Sequence, residues 1–144
     1  AESLQKSLDI NIKGYFNCAQ QAALKMMKNK KGSIINISSV SGIHALAGQS
    51  VYSATKGAVN SMTMVLAKEL APYGIQVNAV APGFVETEMI PAVPEEKLKE
   101  YLDVIPMKRF AKAEEIAETV SLLADGSLSY ITGQVIVMDG GLSL

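Results

Sequence analysis

The chain of 144 residues has the length of one modest domain, and 49% of its residues are hydrophobic. The formal net charge is −1 and no basic or acidic block occurs, so we expect neither a nucleic-acid partner nor an anionic membrane surface. No apolar run approaches the ~20 residues of a membrane span, and the sequence does not begin with an export signal pattern. We therefore expect a soluble, cytoplasmic protein that binds no membrane.

The first segment, Ala1 to Lys28, is predicted to be one helix with an apolar face. Asn11 and Gly14 interrupt its good helix formers, so they require a reason. Two explanations of Asn11 stay open: its polar side chain satisfies the backbone at a helix kink, or the residue has a functional role. The apolar face includes Leu4, Leu8, Ile12, Tyr15, Phe16, Ala19, Ala22, Ala23 and Met26.

The only cysteine, Cys18, lies on this helix, and it has no partner for an internal disulfide. A single unpaired cysteine is typical of a reducing compartment, where Cys18 would be a small packed residue. No cluster of metal ligands occurs around it or elsewhere in the sequence, so no metal is predicted.

A β-branched run, Ser33–Ser38, suits a buried parallel strand. Ser38 and Ser39 lie at its carboxyl end, where open α/β sheets place their chemistry. The loop that follows contains His44, the only histidine. A histidine near a serine would suit a hydrolase, but the sequence lacks a Gly-x-Ser-x-Gly elbow. We therefore expect His44 to lie in a loop on the substrate side.

The segment from about Ser50 to Tyr73 is predicted to be a second long helix, because its apolar residues recur at helical spacing. Tyr52 and Lys56 stand four residues apart near its start and share one helix face. Such a pair alone is usually a packed ring and a solvated amine. A free phenol has a pKa of about 10, however, and an ammonium beside it lowers that value. Tyr52 is thus a candidate proton donor and acceptor, and the Ser39 hydroxyl is a candidate to hold the oxygen that Tyr52 protonates.

The next strand, Ile75–Ala81, is followed by the turn Pro82–Gly83, where glycine lets the backbone approach a ligand closely. Residues 88–107 are bracketed by prolines, contain one short predicted helix (Pro94–Leu102) and have the length of a lid over a pocket. Two further elements are predicted after it, the helix Ala113–Ala124 and the strand Gln134–Met138. Without an internal repeat or a linker, the chain forms one domain.

Four segments, in their order and spacing, resemble the short-chain dehydrogenase/reductase family. The resemblance extends from about Leu8 to Gly141 and implies an α/β fold, a Rossmann-type doubly wound parallel sheet. The segments that carry it are Asn11-Ile-Lys-Gly14, Asn36-Ile-Ser-Ser39, Tyr52-Ser-Ala-Thr-Lys56 and Asn78-Ala-Val-Ala-Pro82-Gly83, with Asp139-Gly-Gly141 at the end.

The resemblance implies a catalytic tetrad for hydride transfer between a nicotinamide and a carbonyl carbon. Ser39 would hydrogen-bond the carbonyl oxygen, and Tyr52 would donate the proton. Lys56 would lower the Tyr52 pKa and grip the nicotinamide ribose, and Asn11 would hold a water in a proton relay to Lys56.

The resemblance also implies that the cofactor is bound by Tyr52 and Lys56 together with the turn after the strand Ile75–Ala81. Pro82, Gly83 and Val85 would line the nicotinamide, with the backbone near Val85 meeting the carboxamide. The Thr87 hydroxyl would meet the carboxamide or a phosphate. The structural alternative is an ordinary turn at a strand end.

Two motifs of the family are missing from the sequence: the Gly-rich pyrophosphate turn and an Asn-Asn-Ala-Gly stretch. The chain therefore matches the C-terminal half of the domain, about three strands with their helices. Only the 5-6-7 part of a sheet ordered 3-2-1-4-5-6-7 would remain, which leaves the strand Ser33–Ser38 with an open apolar edge. We expect the nucleotide-binding half to be absent from this sequence through disorder, cleavage or truncation, and to be present in the natural protein. The 144 residues alone would bind a dinucleotide weakly.

Within the family, three sequence segments are most similar to the 3-oxoacyl-[acyl-carrier-protein] reductases. They imply NADPH-dependent reduction of a 3-oxoacyl thioester in fatty acid biosynthesis, with NADH as the alternative cofactor. The segments are Val80-Ala-Pro-Gly-Phe-Val-Glu-Thr87, Ile105-Pro-Met-Lys-Arg-Phe110 and Ser129-Tyr-Ile-Thr-Gly133.

This similarity implies two kinds of partner. An acyl carrier protein would be held by basic residues such as Lys28, Lys30 and Lys31, although Tyr73 stands where a second basic position belongs. Other copies of the chain would form a homotetramer through the two long helices and the last strand. Two alternatives stay open: a dehydrogenase of another secondary alcohol or ketone, and a non-catalytic assembly module.

Overall fold

The computed structural model describes residues 2–44, 46–86 and 94–144, and all the predicted helices and strands are present. None of the described helices is long and apolar enough to cross a bilayer. In chain order the elements are α1 (Glu2–Leu8), a π-helical turn (Asp9–Gly14), α2 (Tyr15–Asn29), β1 (Gly32–Ile37), a 3-10 turn (Val40–Gly42), α3 (Ser50–Leu70), a 3-10 turn (Ala71–Tyr73), β2 (Ile75–Pro82), α4 (Glu95–Val104), α5 (Ala113–Ala124) and β3 (Val135–Met138).

The first predicted helix changes from α-helical to π-helical hydrogen bonding where Asn11 and Gly14 interrupt it. Residues Asp9–Gly14 form the π-helical turn between α1 and α2. Such turns accommodate an extra residue in a helix and occur frequently at functional sites. Here the Asn11 amide donates a hydrogen bond to the Thr55 hydroxyl of α3 at 3.4 Å. The interruption therefore coincides with a contact between two helices.

The three strands form one parallel sheet in the order β1-β2-β3, as predicted. Ile37 pairs with Val80 and Pro82 pairs with Met138, so the carboxyl ends of the strands meet at one edge of the sheet. β2 lies in the middle, and Val80 is fully buried there. Central position on a parallel sheet explains why β2 is apolar at nearly every residue.

Helices cover both faces of the sheet. Alternate residues of a strand point to opposite faces, so the contacts of two neighbouring residues show which helix lies on which face. Ile34 of β1 packs with Ala23 of α2 and Leu70 of α3. The neighbouring residue, Ser33, donates its hydroxyl to the Leu123 carbonyl of α5 at 3.0 Å. α2 and α3 therefore lie on one face and α5 lies on the other, which is the doubly wound arrangement of a Rossmann-type fold.

β1 is an edge strand of the described sheet, as expected. A groove of about 580 Å³ lies between α2 and β1, and it is lined mainly by apolar residues such as Ala19, Met26 and Ile37. Cys18 also lines this groove and is exposed. The prediction of a packed cysteine is wrong because α2 presents this position to the open edge of the sheet.

Candidate active site

Tyr52 and Lys56 lie together at the start of α3, as the spacing predicts. The Lys56 Nζ atom lies 5.7 Å from the centroid of the Tyr52 ring. The two side chains differ in exposure, since Tyr52 is 42% exposed and Lys56 is 6% exposed. A phenol open to solvent thus sits beside a buried ammonium.

The Lys56 ammonium is held at the carboxyl end of β1. It donates hydrogen bonds to the Ile37 carbonyl at 2.8 Å and to the Tyr15 hydroxyl at 3.3 Å. Burial lowers the pKa of Lys56 below its usual value, and the charge interaction with Tyr52 partly offsets this effect. The ammonium is therefore easier to deprotonate than that of an exposed lysine.

The two serines after β1 have different surroundings. Ser38 is buried, and its hydroxyl donates to the Asn60 side-chain oxygen at 2.5 Å. Ser39 is half-buried, and its hydroxyl accepts a hydrogen bond from the Ser41 N–H at 3.2 Å. The Ser38 hydroxyl is thus committed to α3, which favours Ser39 as the predicted substrate contact. In the described part of the chain it is Ser41, not His44, that hydrogen-bonds the Ser39 hydroxyl.

Asn11 connects through Thr55 to α3, the helix that carries Tyr52 and Lys56. The Asn11 amide donates to the Thr55 hydroxyl at 3.4 Å, and this hydroxyl donates to the Tyr52 carbonyl at 2.8 Å. Thr55 lies inside the Tyr-x-x-x-Lys motif, yet the sequence alone does not identify it as the contact between α3 and the π-helical turn. The predicted proton relay through Asn11 stays a prediction.

Pro82 ends β2, and Gly83 lies beside the end of β3. The Gly83 N–H donates to the Met138 carbonyl at 2.9 Å. A Cβ atom at Gly83 would lie 2.8 Å from the Asp139 Cβ atom, which is closer than such atoms approach. Glycine is therefore required by the packing of two strand ends, a reason that the sequence alone does not reveal.

The backbone around Val85 is oriented by a short pairing with Ala111. The Phe84 carbonyl accepts from the Ala111 N–H at 2.9 Å, and the Glu86 N–H donates to the Ala111 carbonyl at 2.8 Å. Because backbone groups alternate along a paired segment, the Val85 N–H and carbonyl face away from Ala111. This orientation suits contact with a ligand amide. Thr87, and residues 88–93 of the predicted lid, lie outside the described residues.

The side chains present fit one end of a nicotinamide cofactor. The exposed Tyr52 phenol, the Lys56 ammonium and the outward-facing Val85 backbone suit the nicotinamide and its ribose. The sequence has no Gly-rich turn to hold a pyrophosphate. Within the described ranges, no group of three or more His, Cys, Asp and Glu side chains is placed to hold a metal ion.

Tyr15 is the residue of this site that the sequence reasoning missed. Its spacing assigns it to the apolar face of the first helix. In the structure its hydroxyl donates to the Ile37 carbonyl at 2.8 Å and accepts from Lys56. Burial raises the pKa of Tyr15, so the hydroxyl keeps its proton. The available signal is its position four residues after Asn11, on the same side of a helix.

The basic turn lies far from the candidate active site. Lys28, Lys30 and Lys31 are exposed and precede the amino end of β1, whereas Ser39 follows its carboxyl end. The strand has six residues, so the two ends are roughly 20 Å apart at the usual rise per residue. Within one chain, the turn and the candidate active site are thus at opposite edges of the sheet.

Known proteins match both the sequence and the fold of this chain. The family model described as enoyl-(acyl carrier protein) reductase matches residues 1–143. The 3-oxoacyl-[acyl-carrier-protein] reductase FabG of Thermotoga maritima is 49% identical over 135 residues, which is 94% of this chain and 55% of that protein. The chain thus spans about half the length of the curated relatives that it matches.

Two solved structures superpose on nearly all of the chain. The 3-oxoacyl-[acyl-carrier protein] reductase of Brucella melitensis gives a TM-score of 0.96 at 34% identity, covering 100% of this chain and 54% of that chain. ElxO with NADP bound gives a TM-score of 0.93 at 32% identity, covering 99% of this chain and 58% of that chain. The superposed region includes the elements that carry Asn11, Ser39, Tyr52 and Lys56.

Proposed function

The chain belongs to the short-chain dehydrogenase/reductase family, and from this premise we propose that it carries the catalytic residues of an NAD(P)-dependent oxidoreductase. The observation that supports this proposal most strongly is the pair at the start of α3. A half-exposed phenol, Tyr52, lies beside the buried ammonium of Lys56 at the edge where all three strands end.

In the proposed reaction the nicotinamide cofactor, when bound, supplies a hydride to the carbonyl carbon of the substrate. The Ser39 hydroxyl hydrogen-bonds the carbonyl oxygen and orients it. Tyr52 donates a proton to this oxygen as negative charge develops there. Lys56 stabilises the phenolate that remains, because an ammonium within a few ångströms favours the charged form. Asn11 supports the return of a proton through a water.

For the substrate we propose a 3-oxoacyl thioester, reduced with NADPH. Support comes from the relatives of Thermotoga maritima and Brucella melitensis, whose names state this activity. NADP in the ElxO structure supports a nicotinamide cofactor of either kind. NADH is the alternative, because the residues that select the adenosine phosphate are not in this sequence.

Two other reactions are alternatives to the reduction of a 3-oxoacyl thioester. A different secondary alcohol or ketone needs only the same oxygen contact with Ser39 and Tyr52. The family model is described as enoyl reductase, which reduces a carbon–carbon double bond and not a carbonyl. A non-catalytic assembly module is the alternative outside the enzymes.

We further propose that an acyl carrier protein delivers the substrate and that four copies of the chain assemble through α2, α3 and β3. The lysines of the basic turn suit an acidic carrier. Because this turn and Tyr52 lie at opposite edges of the sheet, the thioester must span the sheet or enter the site of another copy.

The test is a substrate comparison with purified protein that contains this chain and has an intact mass well above the 15.3 kDa of these 144 residues, because the 144 residues alone are expected to bind a dinucleotide weakly. We expect oxidation of NADPH with an acetoacetyl thioester at a kcat/KM at least tenfold above that with simple ketones or a crotonyl thioester. Faster turnover of ketones would favour the other dehydrogenase, and turnover of crotonyl thioester alone would favour the enoyl reductase. Absence of turnover with all three would contradict the proposal.

A further inference from the structure

We propose that Asn60 is a positioning residue for Ser39: its side-chain amide fastens the backbone on both sides of Ser39 to α3, the helix that carries Tyr52 and Lys56. The meaning of this placement for catalysis rests on the proposed function above. The placement itself is independent of that function, because hydrogen bonds within this chain produce it.

Asn60 lies on the same face of α3 as the two residues of the candidate pair. Tyr52, Lys56 and Asn60 follow one another at intervals of four positions, and residues at this spacing lie one above another on a helix. Tyr52 is 42% exposed, whereas Lys56 and Asn60 are 6% and 7% exposed. Asn60 is therefore buried about one turn beyond Lys56, where α3 meets the end of β1.

The Asn60 amide uses both of its polar atoms on the segment that contains Ser39. Its oxygen accepts from the Ser38 hydroxyl at 2.5 Å, and its nitrogen donates to the Gly42 carbonyl at 3.4 Å. An amide carries an acceptor and donors side by side, so one side chain can hold a hydroxyl and a carbonyl at once. Because Ser38 precedes Ser39 and Gly42 follows it, the amide spans the segment that presents the Ser39 hydroxyl.

Between these two points, backbone hydrogen bonds leave the segment little freedom. The Ser38 N–H donates to the Val80 carbonyl of β2 at 2.7 Å, which fixes the start of the segment on the sheet. The Gly42 N–H donates to the Ser39 carbonyl at 3.0 Å, and the Ser41 N–H donates to the Ser39 hydroxyl at 3.2 Å. A displacement of Gly42 from α3 is thus passed directly to Ser39.

The link through Asn60 differs from the other side-chain link between this turn and α3. The Ser41 hydroxyl donates to the Gln49 side chain at 2.8 Å, but Gln49 is exposed, so water can replace it. Ser38 and Asn60 are buried, at 3% and 7% exposure. An apolar pair of the same shape would stabilise a packed interior about as well, but only a hydrogen-bonded pair fixes a direction. The buried pair therefore suits the placement of the turn.

The experiment measures amide hydrogen exchange, residue by residue, in the protein that contains this chain. Asn60→Ala removes both hydrogen bonds and leaves the Ser38 hydroxyl and the Gly42 carbonyl without this partner. We expect the Ser41 and Gly42 amides, which donate to Ser39, to exchange roughly tenfold faster. The amides of β3 should change much less, because β3 makes no hydrogen bond to this turn.

The matched control is Asn78→Ala. Asn78 is also a buried asparagine whose amide joins two backbone groups, since it donates to the Ile131 carbonyl at 2.9 Å and accepts from the Gln134 N–H at 3.0 Å. Its loss should accelerate exchange at Gln134 more than at Gly42. Equal acceleration of the Ser41 and Gly42 amides in the two variants would show a loss of global stability alone and would overturn the proposal.

Ser38→Ala is the second variant, and it applies if Asn60→Ala does not fold. It removes the hydroxyl that donates to the Asn60 oxygen, leaves the bond to the Gly42 carbonyl in place and opens only a small space. We expect the Ser41 amide to exchange roughly fivefold faster, with the amides of β3 as the internal reference. A Ser41 rate that changes no more than those of β3 would also overturn the proposal.

In the active protein, an action through Ser39 predicts kinetic effects that are not additive. Asn60→Ala should lower kcat about 10- to 100-fold, because the Ser39 hydroxyl is displaced from the substrate oxygen, and should leave KM for NADPH unchanged. In a Ser39→Ala background the same change should lower kcat less than about twofold, since the hydroxyl is already absent. Losses that multiply in the double variant would overturn the positioning role.

The two kinds of measurement separate this proposal from the proposed function. If the unchanged protein turns over no substrate, the proposed function fails. The exchange rates of the Ser41 and Gly42 amides still decide whether Asn60 holds Ser39 in place.

Discussion

At the scale of single residues, the 3-10 turn after β1 packs closely against α3, the helix that carries Tyr52 and Lys56. Gly42 in this turn lies against α3: a Cβ atom there would come within 2.8 Å of the Lys56 carbonyl carbon and 3.0 Å of the Asn60 Nδ2 atom. On the helix side, a Cβ at Gly57 would meet only the Gly42 oxygen, at an ordinary 3.7 Å. Two glycines that face each other thus have different roles.

We expect Gly42→Ala to lower the free energy of unfolding by about 1–3 kcal/mol, because the added methyl forces the turn away from α3. Gly57→Ala is the matched control, and it should raise the free energy by about 0.5–1 kcal/mol, because alanine favours a helix interior. Urea unfolding at neutral pH measures both. A Gly42→Ala protein as stable as the unchanged one would show that the turn is not tightly packed on α3.

The residues of the candidate site could be predicted from the sequence where a motif fixes both type and spacing. Tyr52 and Lys56 are the best example, since a separation of four on a helix brings two side chains together in any fold. Tyr15 could not be predicted in the same way. Its partners, Lys56 and Ile37, lie 41 and 22 positions away, and only the packing of α2 on β1 brings them together.

At the scale of elements, the outer faces of α2 and α3 carry large apolar side chains. Phe16 and Leu24 on α2 are 48% and 55% exposed, and Met64 and Val65 on α3 are 47% and 55% exposed. Exposed apolar groups of this size on neighbouring helices favour contact with another protein surface. These faces support the proposed assembly of four copies.

We expect light scattering to give a mass of four chains and Val65→Glu to reduce it to two chains or one, because a charge would be buried without a partner. Leu122→Glu on α5 is the control, since Leu122 is 48% exposed on the other face of the sheet, and its mass should be unchanged. A Val65→Glu protein that keeps the mass of four chains would exclude α3 from the interface.

The type and order of the elements were predictable because their hydrophobic periods differ. α5 begins and ends at the predicted residues, and β1 differs from the prediction by one position at each end. The π-helical turn was not predictable, because the change from one hydrogen-bond pattern to another has no periodic signal over six residues. Asn11 and Gly14 indicate only that the helix is interrupted there.

At the scale of the whole molecule, the chain spans about half the length of its relatives, and the described sheet ends at β1. The open edge of β1 could be predicted from the sequence, because two motifs of the family are absent from it. The exposure of Cys18 was not predicted, because helical periodicity places the residue on a face without showing what covers that face. Tyr52 and Lys56 lie together at the carboxyl end of β1, the strand that Ser39 follows.

The turnover of acetoacetyl thioester by Tyr52→Phe decides whether this edge is a catalytic site with Tyr52 as the proton donor. We predict that kcat falls about 100- to 10,000-fold, the usual contribution of a general acid, while the free energy of unfolding is unchanged. Tyr73→Phe is the matched control, since Tyr73 is 41% exposed and Tyr52 is 42% exposed, and it should keep full activity. Unchanged turnover in Tyr52→Phe would show that Tyr52 is not the proton donor.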